Sequence, residues 1–148
     1  MSDILRDRVV AEARTWIGTP YAAGQDVKGA GVDCAMLCVR VLADSGAFPF
    51  VDPRPYNDQF FLHTGEEILL DYFLARGALA QQPRLGDVAL FKMGRAYAHA
   101  GIVSSLSPLR MIHAMNSYGR AVEEEVSLLP SSLLRDHKPP IFVSVAGD

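Results

Sequence analysis

Two cysteines and four histidines carry most of the nucleophilic and basic chemistry open to this 148-residue chain, and one cysteine has a distinctive setting. Cys34 follows Asp33 and precedes the apolar run Ala35-Met36-Leu37-Cys38-Val39, with Arg40 the first charge after it. Aspartate is a good N-cap, so Cys34 is expected at the first helical position. There the unpaired backbone N–H groups and the positive end of the helix dipole favour thiolate over thiol. Such a place suits a nucleophile if a base stands nearby. An inert buried cysteine fits the same stretch, since free cysteine is among the most buried residue types. Cys38, one turn further on with no partner in view, reads as packing.

Candidate bases lie on two later segments, His99 in Ala98-His99-Ala100-Gly101-Ile102-Val103 and His113 in Met111-Ile112-His113-Ala114. A hairpin closed around Ser105 to Pro108 and centred near Leu106 would set the two histidines opposite each other on one sheet face. A one-residue slip would part them. A helix-start thiol and two histidines on one face supply a nucleophile, a base and an orienting group. The backbone N–H of Cys34 is the natural oxyanion donor. Further oxyanion or substrate contacts fall to Tyr21, Asp33 and Gln25. Tyr21 can donate to a thiol or an oxyanion, or can simply satisfy a backbone carbonyl.

The elements that must hold these groups are readable in outline. Residues 3 to 17 form an amphipathic pattern with Leu5, Val9, Ala13, Trp16 and Ile17 on one stripe, closed by Gly18-Thr19-Pro20. The cysteine helix stops at Ser45-Gly46. A proline-rich stretch from Ala47 to His63 follows, either a flap over a site or a packing arm. His63 within it reads as a solvated loop histidine. Thr64-Gly65-Glu66-Glu67 matches a capping box and predicts a helix from about Glu66 to Arg76. Short strands are predicted at 88–91, 98–104, 110–115, 121–126 and 141–145. Helices first and strands afterwards define an α+β domain, one unit spanning 1–148, with the nucleophile's helix packed on a small antiparallel β-sheet.

Composition narrows the function. The net charge is −3 with no Lys/Arg cluster, which argues against nucleic acid as a partner. No run approaches the roughly 18 apolar residues of a membrane span, and the N-terminal residues lack a signal-peptide pattern, so synthesis in the cytoplasm is expected. A metal site built from Cys34, Cys38, His99 and His113 lacks the short paired-cysteine spacing of structural zinc sites.

Taken together, Trp16-Ile17-Gly18-Thr19-Pro20-Tyr21, Val32-Asp33-Cys34, Leu85-Gly86-Asp87-Val88, His99-Ala100-Gly101-Ile102-Val103 and Ile112-His113-Ala114 resemble the NlpC-type cell-wall cysteine peptidases. Their order and spacing carry the likeness, with 65 residues from Cys34 to His99 and 14 more to His113. The resemblance implies a reduced papain-like fold with Cys34 as nucleophile, His99 as base and acid and His113 orienting His99. Tyr21 matches the family's tyrosine near the nucleophile. It implies no cofactor and no metal, and a substrate in the peptide stem of peptidoglycan, cut between D-glutamate and a diamino acid. The Lys28-Gly29 loop resembles the phage-tail or gene-transfer-agent branch, whose particle proteins would be partners and would carry the enzyme to the periplasm. Ala35-Met36 replaces the small Ser- or Gly-containing pair usual after the family's cysteine. Two other readings keep the same residues: a structural or assembly component of a phage tail, and a thioester-forming amidase or acyltransferase on a non-wall substrate.

Overall fold

A computed structural model describes residues 1–57, 65–130 and 139–145. The first helix, α1, runs Asp3–Arg14, with the Ser2 side chain accepting from the Leu5 N–H at 3.1 Å as its N-cap. It ends sooner than the apolar stripe suggested. Trp16 is buried as expected, but Ile17 lies beyond the helix and is exposed. Two two-residue strands, β1 (Asp26–Val27) and β2 (Gly31–Val32), then make a small hairpin ahead of α2 (Cys34–Asp44). Seven of the residues of α2 are buried, Ala35 to Val39 together with Val41 and Leu42, so it is apolar almost all round and lies in the domain centre. Ser45 caps it and Gly46 follows with φ +86°, the left-handed stop expected there.

The third helix, α3, covers only Ile68–Leu74. Thr64 of the expected capping box lies outside the described residues, as does His63. Glu67 is the N-cap here and makes no side-chain cap bond, because its carboxylate accepts from the Tyr97 N–H at 3.0 Å instead.

Six strands follow: β3 (Gly77–Ala80), β4 (Val88–Met93), β5 (Ala96–Leu106), β6 (Leu109–Met115), β7 (Arg120–Glu125) and β8 (Ile141–Val145). They form one antiparallel sheet in the order β3-β8-β4-β5-β6-β7. β3 had no sequence signal, since Gly-Ala-Leu-Ala shows neither period nor β-branching. Gly77 pairs so closely with β8 that a Cβ would collide with the Ser144 carbonyl. One sheet face carries Ala100, Ile102, Ile112 and Ala114 against α1, α2 and α3, and the other carries Ala89, Phe91, Val103 and Met111 in a smaller cluster with Val126 and Leu129. Among the described residues, no helix is long and apolar enough to cross a membrane.

The β5–β6 hairpin decides where the histidines face. Its turn is tighter than the sequence suggested, Ser107-Pro108 between the pairs Leu106–Leu109 and Ser105–Arg110. Carried inward unbroken, that pairing would set His113 across from Ile102 and leave His99 on the opposite face. A bulge at Ser104 intervenes, so that Val103 pairs with Met111 and Ile102 with Ile112. The shifted register sets His113 across from Gly101, not His99, and puts His99 two residues along on the same face. The shared face is as expected; the direct opposition is replaced by a diagonal one.

Candidate active site

Asp33 organises the start of α2. Its Oδ1 accepts from the Met36 N–H at 2.8 Å, the N-cap bond, while Oδ2 accepts from the Gly24 N–H at 2.7 Å and from the Tyr56 hydroxyl. The residue is buried. These bonds tie the helix start to the preceding loop and to the proline-rich arm, so Asp33 holds the site in place and, as an acceptor, does not itself donate to an oxyanion. The arm is anchored by Arg54, which donates to Asp26 and to the Gly24 carbonyl, each at 3.0 Å, and by Phe50, whose ring lies 4.1 Å beneath the Arg40 guanidinium. Residues 47–57 are thus an ordered arm packed on α2 and on the loop before it.

Cys34 keeps part of its surface exposed. Its thiol donates to the Ala98 carbonyl at 3.8 Å, directly ahead of His99 and beyond the last rung at which β5 and β6 pair. Helix α2 covers the face of Ala100 and Ile102, whereas His99 stands on the other face against Phe91, so the thiol meets β5 at the backbone of the residue before His99. Packing around the sulfur, followed by the charge of Asp33, pushes the thiol up to about 12, although the N–H groups of Ala100, Ala35 and Cys34 pull the other way. Burial outweighs the helix start here.

His99 is 5% exposed and His113 fully enclosed. His99 Nε2 lies 2.8 Å from His113 Nδ1, with the ring centroids 5.0 Å apart and nearly perpendicular. Gly101 makes the diagonal contact possible, since a Cβ there would stand 2.7 Å from Met111 Sδ and 3.1 Å from His113 Cβ. Burial, then the neighbouring His113, holds His99 well below the ordinary histidine range; burial lowers His113 too, partly offset by Glu124. Both rings are therefore neutral near pH 7.

The chain of contacts continues past the expected residues. His113 Nε2 lies 2.7 Å from Glu124 Oε1, and the Tyr118 hydroxyl donates to Glu124 Oε2 at 3.1 Å. Glu124 was hidden in the run Glu123-Glu124-Glu125, whose alternating faces become distinguishable only once β7 is registered on β6, with Val122 opposite His113 and Glu124 opposite Met111. Tyr56 also had no signal beyond its place among prolines. Its phenol is held above the ordinary range by burial and the Asp33 charge, with further contributions from Cys34 and Tyr21, so all four side chains share one neighbourhood. Tyr21 is fixed by its backbone: its N–H donates to the Gly119 carbonyl at 2.9 Å, and it bridges to Val32. Gln25 is exposed and its amide lies over Gly31, where a Cβ would collide with it. Cys38 is fully buried in the core. Among the described residues, no three His, Cys, Asp or Glu side chains converge as a metal site.

Fold and site together define a papain-like α+β domain, with a thiol at a central helix start beside a strand-borne histidine pair. No family model matches the sequence and no curated protein matches it. Among solved structures, the chain is similar to the NlpC/p60 domain of the peptidoglycan hydrolase SagA, with a TM-score of 0.63 at 20% identity over 95% of this chain and 98% of that one. It is also similar to the P60 domain of the antigen MAP1204 from M. avium subspecies paratuberculosis, with a TM-score of 0.59 at 16% identity over 97% of this chain and 95% of that one. The protein therefore has the fold of NlpC/p60 domains.

Proposed function

We propose that the protein is a cysteine peptidase of the bacterial cell wall, with Cys34 as nucleophile, His99 as general base and acid and His113 orienting His99. The observation that carries this reading is the meeting of the Cys34 thiol with the Ala98–His99 segment while His99 is hydrogen-bonded to His113. A thiol pushed up to about 12 and a neutral His99 favour proton removal during attack over a standing thiolate–imidazolium pair. The Cys34 proton passes to His99 as sulfur bonds to the carbonyl carbon. The N–H groups at the start of α2 face the oxygen that becomes negative. His99 then returns the proton to the leaving amine, and water releases the thioester.

The substrate class is the peptidoglycan stem peptide, consistent with the SagA domain of similar fold, which comes from a peptidoglycan hydrolase. The finer reading places the cut between D-glutamate and the diamino acid, by an enzyme made in the cytoplasm and delivered by a phage tail or gene-transfer agent. Its support is the sequence pattern, including the Lys28-Gly29 loop. Incubation with defined stem peptides, with new amines located by mass spectrometry, tests both levels. Wild type is expected to cut and Cys34→Ala is not. Thioester transfer to an added amine, without hydrolysis, would replace the peptidase reading with the acyltransferase one, and no reaction on any peptide would leave the tail-component reading.

A further inference from the structure

We propose that Glu124 is a positioning residue that fixes which nitrogen carries the proton on both His99 and His113, leaving His99 Nδ1 as the bare base for Cys34. The inference rests on the assignment of His99 as base given above, and it adds the group that makes the ring usable as one.

Hydrogen-bond polarity sets the proton positions on the two rings. A neutral imidazole has one N–H and one lone pair, so a bond between two histidines can run in either direction. The 2.8 Å contact between His99 Nε2 and His113 Nδ1 is satisfied equally by both. In one direction His99 donates from Nε2, and its Nδ1 is free to accept a proton. In the other, His113 donates from Nδ1, His99 Nε2 accepts, and the His99 proton sits on Nδ1, where it blocks catalysis. The pair alone does not choose.

Glu124 chooses. A carboxylate only accepts, so the hydrogen in its 2.7 Å contact with His113 belongs to His113 Nε2. His113 Nδ1 is then the acceptor, His99 Nε2 the donor, and His99 Nδ1 bare. Tyr118 secures the arrangement by donating to the other carboxylate oxygen at 3.1 Å, its phenol raised to about 12 by burial and then by Glu124, so that it stays protonated. The groups facing the two rings come from several elements, Phe91 from β4, Tyr118 from the turn Asn116–Tyr118 and Glu124 from β7, while Cys34 of α2, with Asp33 beside it, bonds to the Ala98 carbonyl next to His99. When the Cys34 proton moves to His99 Nδ1, no other proton needs to move. The new positive charge is relayed by two existing N–H donors to a carboxylate.

Ring ¹⁵N chemical shifts of the two histidines at neutral pH test this without substrate. Wild type is expected to show Nε2–H on both rings. Glu124→Ala should transfer part of the His99 population to Nδ1–H and lower kcat by about a hundredfold with little change in KM. That is less than the roughly ten-thousandfold cost of a fully inverted ring in a Ser-His-Asp site. Glu124→Gln can still accept from His113 through its amide oxygen, so it should restore the wild-type tautomers and much of the rate. Having lost the charge, it should move the acid limb of the kcat/KM profile to lower pH, a shift that a merely structural role would not produce. If Glu124→Ala fails to fold, the Glu124→Gln limb decides. The proposal is overturned if wild-type His99 carries its proton on Nδ1, or if the variants leave tautomers and pH profile unchanged. Should the tautomers be as stated while no stem peptide is cut, the peptidase reading falls and the role of Glu124 in setting the rings stands.

Discussion

Two buried polar clusters hang from neighbouring parts of the same sheet, and they differ in whether their protons can move. In the first, Asp87 at the head of β4 accepts from Arg6 Nη1 at 2.8 Å, from Ser144 Oγ at 2.7 Å and from the Arg84 N–H at 2.8 Å. Arginine does not titrate in a protein, so every proton there has one place. The cluster pins α1 to β4 and β8, and it explains Leu85-Gly86-Asp87 as architecture: Gly86 has φ +83° and packs 3.3 Å from Val9 at the position of its would-be Cβ. In the second, His99, His113 and Glu124 are linked just as tightly, but each ring has two possible polarities and one nitrogen is left over. Tight polar contacts give a fastener where the donors are fixed and a reversible chain where the donors can exchange roles.

The sharpest test of that contrast is to remove one key residue from each cluster or its nucleophile. Cys34→Ala should reduce stem-peptide hydrolysis by about four orders of magnitude or more while leaving the melting temperature nearly unchanged. A melted variant would instead make Cys34 a packing residue. Asp87→Ala should do the reverse, costing roughly 3–5 kcal/mol in denaturant unfolding because it strands the buried Arg6 charge, with turnover per folded molecule preserved. If hydrolysis by the folded fraction collapsed as well, the two clusters would not be separable. Gly101→Ala should cost about 1–3 kcal/mol by overpacking Met111 and His113, and should also lower kcat by displacing the histidine pair.

The smallest effect is in the pH dependence of stability. His99 and His113 both have folded values below the unfolded one of about 6.5, so the unfolded chain binds more protons wherever the pH lies between the two. Their contribution is fully present above about pH 6.5 and is lost as the pH falls below it. Thermal melts from pH 8 to pH 5 should show this loss in wild type and a shallower one in His99→Gln. An Asp87→Ala protein, with its histidines intact, should keep the wild-type slope.

Much of this was open to reading from residue order. The N-cap at Asp33, the buried α2 and its Ser45-Gly46 stop depend on side chains within a turn or two of one another, and local chemistry specifies them. The last strand was also legible, because Ile141–Val145 is a short β-branched and aromatic run. Residue order and structure part where distant groups compete for the same atoms, as where the Glu67 carboxylate accepts from the Tyr97 N–H instead of capping a helix, and where α1 stops at Arg14, short of Ile17. Tyr56 joined the site because the Arg54 anchor folds its arm back over Asp26.

Sequence by itself determined that a cysteine would stand at a helix start, that two histidines would follow on strands, and that the class would be α+β. Tertiary structure alone decided that those histidines share a face, through one extra residue at Ser104, and that Glu124 rather than either neighbour meets His113. The physical reason is the two-residue period of a strand. Helix ends are set by nearby residues, but the face of a strand residue is set by pairing with a distant segment, and a single bulge inverts it.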